Sequence, residues 1–199
     1  MRRRGEKRLK RSKIPMQHRL TDILRTEDRG ADLSKVDSEI MNFSFLKNRK
    51  DRFSKGRNIV IYGAPGTGKT FLGTAVATEA CLIDVRTIWY NYPELLRLLK
   101  SFSDTAELSE KMTGFGNIPL FCIDEFLNAE NSATDMLLLQ ELLDKRYSKG
   151  LPTVFIMQVN PFRLEEVFKN KSIGQSIKGR ILQNAIVLKL EGDDMRLKN

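Results

Sequence analysis

The residues best equipped for chemistry are Gly63, Ala64, Pro65, Gly66, Thr67, Gly68, Lys69 and Thr70, which spell G-x-x-x-x-G-K-T, the Walker A pattern. Glycines at this spacing let backbone N–H groups turn inward around a phosphate, and a helix starting there adds its partial positive charge. Lys69 can reach β- and γ-phosphates, and the Thr70 hydroxyl can ligate Mg²⁺. Phe71 follows directly and joins the nucleotide-contacting set. ATP and Mg²⁺ are the cofactors this stretch calls for.

Further along, the apolar run from Pro119 ends in the paired carboxylates Asp124 and Glu125. Next to a bound nucleotide, Asp124 would hold Mg²⁺ through water, and Glu125 would orient and activate an attacking water. The run 153–158 leads to Asn160, then Pro161. An Asn-Pro pair by itself is a turn signal. Between the two motifs, however, the Asn160 amide could sense a γ-phosphate or fix the water.

These groups need a scaffold that gathers them. Apolar, β-branched runs at 58–62, 85–90, 119–125, 153–158 and 185–190 read as five strands. Helical patterns lie between them, at 71–80, from Pro93 with four leucines, at 105–112, 134–149, 162–169 and 172–183. Strands alternating with helices make an α/β fold with a parallel sheet. Ligands of such sheets collect at the carboxyl ends of the strands, where all three motifs fall.

At 199 residues, with 41% apolar and 30% charged residues, the chain can bury a core as one ATP-binding domain over 55–199. Residues 1–54 read as a basic segment with helices. Its first 13 residues hold eight Lys or Arg against one Glu, a block expected to be disordered alone and able to contact nucleic acid or a partner. Residues 16–28 are expected to form one helix, residues 32–52 a second, and His18, the only histidine, reads as a surface residue. The net charge of +9 points to an anionic partner beyond ATP, with nucleic acid first. No run is apolar and long enough to span a membrane, no apolar signal stretch follows the basic start, and the two cysteines form no CxxC cluster. A cytoplasmic protein is expected.

The order GAPGTGKT, FCIDEF, a leucine-rich helix, a strand leading to Asn, then SIKGRILQNAIVLKLEGDDMR resembles the DnaC/IstB branch of the AAA+ ATPases over roughly residues 55–198. The resemblance implies a P-loop AAA+ core without a substantial C-terminal lid. It makes Arg180 the candidate arginine finger, acting on the ATP of a neighbouring subunit in an ATP-dependent homo-oligomer, and Arg196 a candidate contact to the chain's own nucleotide. Gly179 stands where the family carries Asp, and Gln158-Val159-Asn160 where it carries Thr-Ser-Asn. The activity implied is an ATP hydrolase gated by DNA or a partner. The first reading is a helicase loader that delivers a replicative helicase to single-stranded DNA. The second is a transposition helper working with a transposase. A third, from another class, is a module that binds ATP without hydrolysing it, against which Glu125 argues.

Overall fold

A computed structural model of the chain describes residues 2–23, 34–48, 51, 54–128 and 131–195. Five strands form one parallel sheet: β1 (Ile59–Gly63), β2 (Thr87–Asn91), β3 (Leu120–Asp124), β4 (Thr153–Met157) and β5 (Ile186–Leu190). Their order across the sheet is β2-β3-β4-β1-β5. β4 therefore separates the strand that ends in the glycine loop from the strand that ends in Asp124.

The central strands β3, β4 and β1 are largely apolar because both faces of the sheet are covered there, whereas the edge strand β5 exposes Lys189. Ile59 and Ile61 of β1 pack on one side, and Val60 on the other. Val154 and Ile156 of β4 join the first side, and Phe155 and Met157 the second. Helix α2 (Lys69–Leu82) covers the first side, while α3 (Tyr92–Lys100), α4 (Thr105–Gly116), α5 (Ala133–Ser148) and α6 (Lys171–Leu182) supply the second. Gly73 lets α2 lie close to the sheet, since a Cβ there would meet Ile156 Cδ1 at 2.3 Å. The fold matches the P-loop AAA+ expectation, and among the described residues no helix follows β5.

The N-terminal segment departs from its expectation. Residues Arg2–Arg11 form a helix, α1, seated on the far end of α2. Gly5 makes that seat: a Cβ there would lie 2.8 Å from Leu82 O and 2.9 Å from Leu82 Cα. Beyond α1, Ser12 is fully buried, and its carbonyl accepts from the Trp89 N–H at 2.7 Å, covering the free edge of β2. A charge-rich block thus gains order from a backbone contact that its composition does not announce.

The single helix expected over 16–28 is a 3-10 turn at Leu20–Asp22, and residues 24–33 lie outside the described residues. The helix expected at 32–52 is a short helical segment whose π turn, Val36–Ile40, buries Val36 and Ile40 beside Phe45. The segment at 162–169 is a 3-10 turn, Pro161–Glu166, instead of an α-helix.

Candidate functional site

The carboxyl ends of β1, β3 and β4 converge as the strand order requires. The loop after β1 takes its shape from Gly66 (φ 77°) and Gly68 (φ 86°), in the left-handed region where a side chain is strained. Gly68 is also the N-cap of α2, so the helix N–H groups of Lys69 and Thr70 face into the loop. Lys69 is 8% exposed, and its Nζ donates to Ala64 O at 2.5 Å. Thr67 Oγ1 donates to the same carbonyl at 2.9 Å, which closes the loop on itself. Gly63 is required for another reason: a Cβ there would meet Leu190 O of β5 at 2.1 Å.

Asp124 ends β3 and is buried. Its Oδ1 accepts from the Thr70 hydroxyl at 3.4 Å and from the Glu125 N–H at 2.8 Å. Burial pushes the Asp124 carboxyl above its ordinary range, the Glu125 N–H and Thr70 hydroxyl pull it part of the way back, and the Glu125 charge and Lys69 act in opposite directions on it. A buried carboxylate beside a hydroxyl is a hard-oxygen pair suited to Mg²⁺. Among the described residues no group of three His, Cys, Asp or Glu side chains could hold a metal alone. A divalent cation at this pair would therefore draw its other ligands from phosphate oxygens and water, which is how Mg²⁺ is held beside nucleotides.

Glu125 adopts φ 51°, in the left-handed region unfavourable for a side-chain-bearing residue. Its Oε2 accepts from Asn91 Nδ2 at 2.6 Å. Asn91 ends β2, on the side of β3 away from the glycine loop, and pairs in register with Asp124. The Glu125 carboxylate is thus held toward the outer edge of the sheet. Asn91 is not visible as a site residue in the sequence, because its nearness to Glu125 comes from the pairing of β2 with β3.

Asn160 lies past β4, between the two motifs as expected, and its Oδ1 accepts from the Phe162 N–H at 3.0 Å. It caps the Pro161–Glu166 turn. Phe71 packs its ring at 4.0 Å, centroid to centroid, against His18, which is half-buried and not a free surface residue. The Thr74 hydroxyl donates to Phe71 O at 2.9 Å, so it is His18 Nδ1 that donates to Thr74 Oγ1, at 2.7 Å.

A second unforeseen contact comes from the chain after β5. The Met195 N–H donates to Gly66 O at 3.0 Å. The Asp194 carboxylate lies against Gly66 so closely that a Cβ on Gly66 would fall 2.0 Å from Oδ1. An acidic strap therefore crosses the phosphate loop. Arg196, the expected nucleotide contact, lies outside the described residues.

Arg180 is not gathered with these groups. Asn58, just before β1, donates to Arg180 O at 2.8 Å, which puts the arginine at the amino ends of the strands. A strand of five residues separates that end from the glycine loop, roughly 15 Å. The Arg180 guanidinium pairs with Asp144 and donates to Ser176 Oγ at 2.7 Å. It lines a cavity of about 180 Å³ with Lys55, Tyr147 and the buried Arg146. Arg146 is held by the carbonyls of Phe115, Ile118 and Pro152 and by Thr153 Oγ1, and burial pushes its guanidinium down to about 9.

Comparison with known proteins gives the family and the fold. The family model described as IstB-like ATP binding protein matches residues 1–199. A protein of insertion sequence IS232 from Bacillus thuringiensis subsp. berliner, described as ATP-binding, is 29% identical over 142 residues, 71% of this chain and 56% of its own length. The replicative helicase loader DnaI of Bacillus subtilis (strain 168) is 28% identical over 161 residues, 76% of this chain and 51% of its own length. The aligned stretch thus spans about half of each relative. A crystal structure of DnaI superposes with a TM-score of 0.73 at 21% identity, covering 87% of this chain and 90% of that one.

Proposed function

We propose that this chain, a member of the IstB-like ATP-binding protein family, is an ATP hydrolase that uses nucleotide state to deliver a partner enzyme to DNA. The observation that carries this reading is the meeting of Lys69, Thr70, Asp124 and Glu125 at the carboxyl ends of β1 and β3. Nucleotide binding alone needs the first two. A buried metal-type carboxylate with a second carboxylate beside it is what hydrolysis adds.

Backbone N–H groups from Gly66 to Thr70 would take the phosphates, with Lys69 on the β- and γ-oxygens. Thr70 and Asp124 would hold Mg²⁺, which draws charge from the phosphate oxygens. Glu125 would accept the proton of the attacking water, and Asn160 would fix that water or sense the γ-phosphate. Phe71 and Arg196 would flank the nucleotide. Arg180, on the far side of its own domain, would serve the site of a neighbouring copy in an ATP-dependent assembly.

The first reading of the partner is a replicative helicase delivered to single-stranded DNA, supported by the likeness to the DnaI loader. A second reading, a helper ATPase for a transposase, is supported by the match of the IstB-like model to all 199 residues and by the insertion-sequence relative. Phosphate release measured without DNA, with single-stranded DNA and with duplex DNA tests the common core. Turnover should rise with DNA. Glu125→Gln should keep ATP bound while slowing turnover by roughly 10²- to 10⁴-fold. A folded Lys69→Ala protein with unchanged ATP affinity would overturn the assignment. Co-sedimentation with the helicase or the transposase encoded beside the gene then separates the two partners.

A further inference from the structure

Helix α1 carries seven Lys or Arg residues and one acid, Glu6. At about 100° per residue, Arg4, Lys7, Arg8 and Arg11 occupy one flank of the helix, an arc of roughly 100°. Glu6 falls on the opposite flank. The four cations and Asp84 line a cleft of about 330 Å³. Asp84 accepts from Arg8 Nε at 3.1 Å and so fixes one of the four.

This flank is rigidly presented. The Gly5 seat on Leu82 and the Ser12–Trp89 backbone bond hold the helix from both ends. Helix stability does not account for the charges. Lys and Arg suit the last turn of a helix, where Arg8, Lys10 and Arg11 lie, but Arg4 sits in a first turn that has no acid to answer the helix dipole. A cation kept at an unfavourable end points to something outside the helix.

We propose that the α1 cleft is a docking surface for the phosphate backbone of duplex DNA. The four cations extend about 10 Å along the helix, enough for two neighbouring phosphates of one strand. Three of them are arginines, whose planar forks match phosphate oxygens. Among the described residues, no aromatic or aliphatic side chain lines the cleft. Single-strand binders rely on aromatic stacking, and protein partners on apolar anchors, so a duplex, which offers phosphates and hides its bases, fits best. The cleft lies at the far end of the 14-residue helix α2, about 20 Å from the phosphate loop, so DNA here leaves the nucleotide site open.

The inference rests on the reading of this chain as a DNA-associated ATPase, and its test keeps the two apart. The variant is Arg4→Gln/Lys7→Gln/Arg11→Gln in the full chain, which leaves Gly5 and the Arg8–Asp84 pair intact. Its thermal unfolding and ATP affinity should match wild type. Fluorescence anisotropy with labelled duplex and single-stranded oligonucleotides is read over a salt series. The slope of log K against log salt for duplex should fall by roughly 2, near 0.9 for each of the two phosphates no longer neutralised. A triple substitution of surface lysines elsewhere, Lys111, Lys169 and Lys171 to Gln, should leave the slope in place. Polyglutamate of matched charge should compete poorly with duplex. An unchanged duplex slope, a weakening confined to single strands, or equal competition by polyglutamate overturns the inference while the ATPase reading stands. Failure of the wild-type protein to bind any DNA overturns both this surface and the DNA part of the function.

Discussion

Two side chains outside the glycine loop touch the groups of the candidate site, Asn91 at Glu125 and Asp194 at Gly66. Asn91 draws the Glu125 carboxylate toward the outer edge of the sheet, away from the strand that leads to Lys69. A hydrogen bond to an ionised carboxylate contributes about 1.5 kcal/mol, close to a factor of ten in a rate. Asn91→Ala should therefore raise ATP turnover without DNA by up to roughly tenfold and weaken its response to DNA. Phosphate release with and without DNA checks this, and a fall in basal rate would mean that Asn91 orients Glu125 for catalysis. Asp194 acts on binding. Its carboxylate rests on Gly66, beside the loop that would receive a polyanion. Relief of one half-exposed charge near the phosphates is worth about 1 kcal/mol, so Asp194→Asn should tighten ATP binding by roughly fivefold. Calorimetry with ATP and with adenosine separates causes. Only the phosphate-bearing ligand should gain, and a drop in ATP affinity would make Asp194 a nucleotide contact instead of an obstacle.

At the scale of elements, the central strands and the loop after β1 are legible in the sequence because their physics is local. A strand buried on both faces must be apolar throughout, and a phosphate loop must have glycine where φ is positive. Asp124 and Glu125 are legible because they end such a strand. Asn91 and Asp194 are not, since one depends on which strand lies beside β3 and the other on where the chain goes after β5. Helix α1 escapes the sequence for a related reason: seven cations dominate its composition, while the residue that docks it is a single glycine. That seat is itself testable. Gly5→Val would drive side-chain atoms into the Leu82 backbone, which cannot yield as a flexible side chain could. Overpacking of this kind costs about 1–3 kcal/mol. Trp89, the only tryptophan, is 4% exposed beside the segment that α1 holds down. In Gly5→Val its emission should shift to the red and the amides of α1 should exchange faster, with ATP affinity unchanged. Native-like emission and exchange would show that the helix can shift on α2 without undocking.

At the scale of the whole molecule, the sheet carries charged groups at both of its ends. The carboxyl end gathers Lys69, Asp124 and Glu125, and the amino end carries Arg180 beside Asp144 and the cavity containing Lys55 and Tyr147. If Arg180 acts as a finger, it would reach a nucleotide by placing this amino end against the carboxyl end of another copy, a head-to-tail contact that generates rings or open helical filaments. The Asp144 and Ser176 contacts hold Arg180 in the isolated domain, so assembly would have to exchange them for phosphate. Arg180→Ala should then bind ATP as wild type does and lose the assembly-dependent part of hydrolysis, on the order of 10³-fold where a finger acts in trans. Mixing separates the two halves of the site. Arg180→Ala subunits keep Glu125, and Glu125→Gln subunits keep Arg180, so random assembly of equal amounts restores about one junction in four. Neither variant alone should approach that rate. If the mixture stays as slow as its components, or if sedimentation with ATP and DNA finds only single copies, Arg180 belongs to the surface that meets the partner enzyme. The site would then be completed by a different protein.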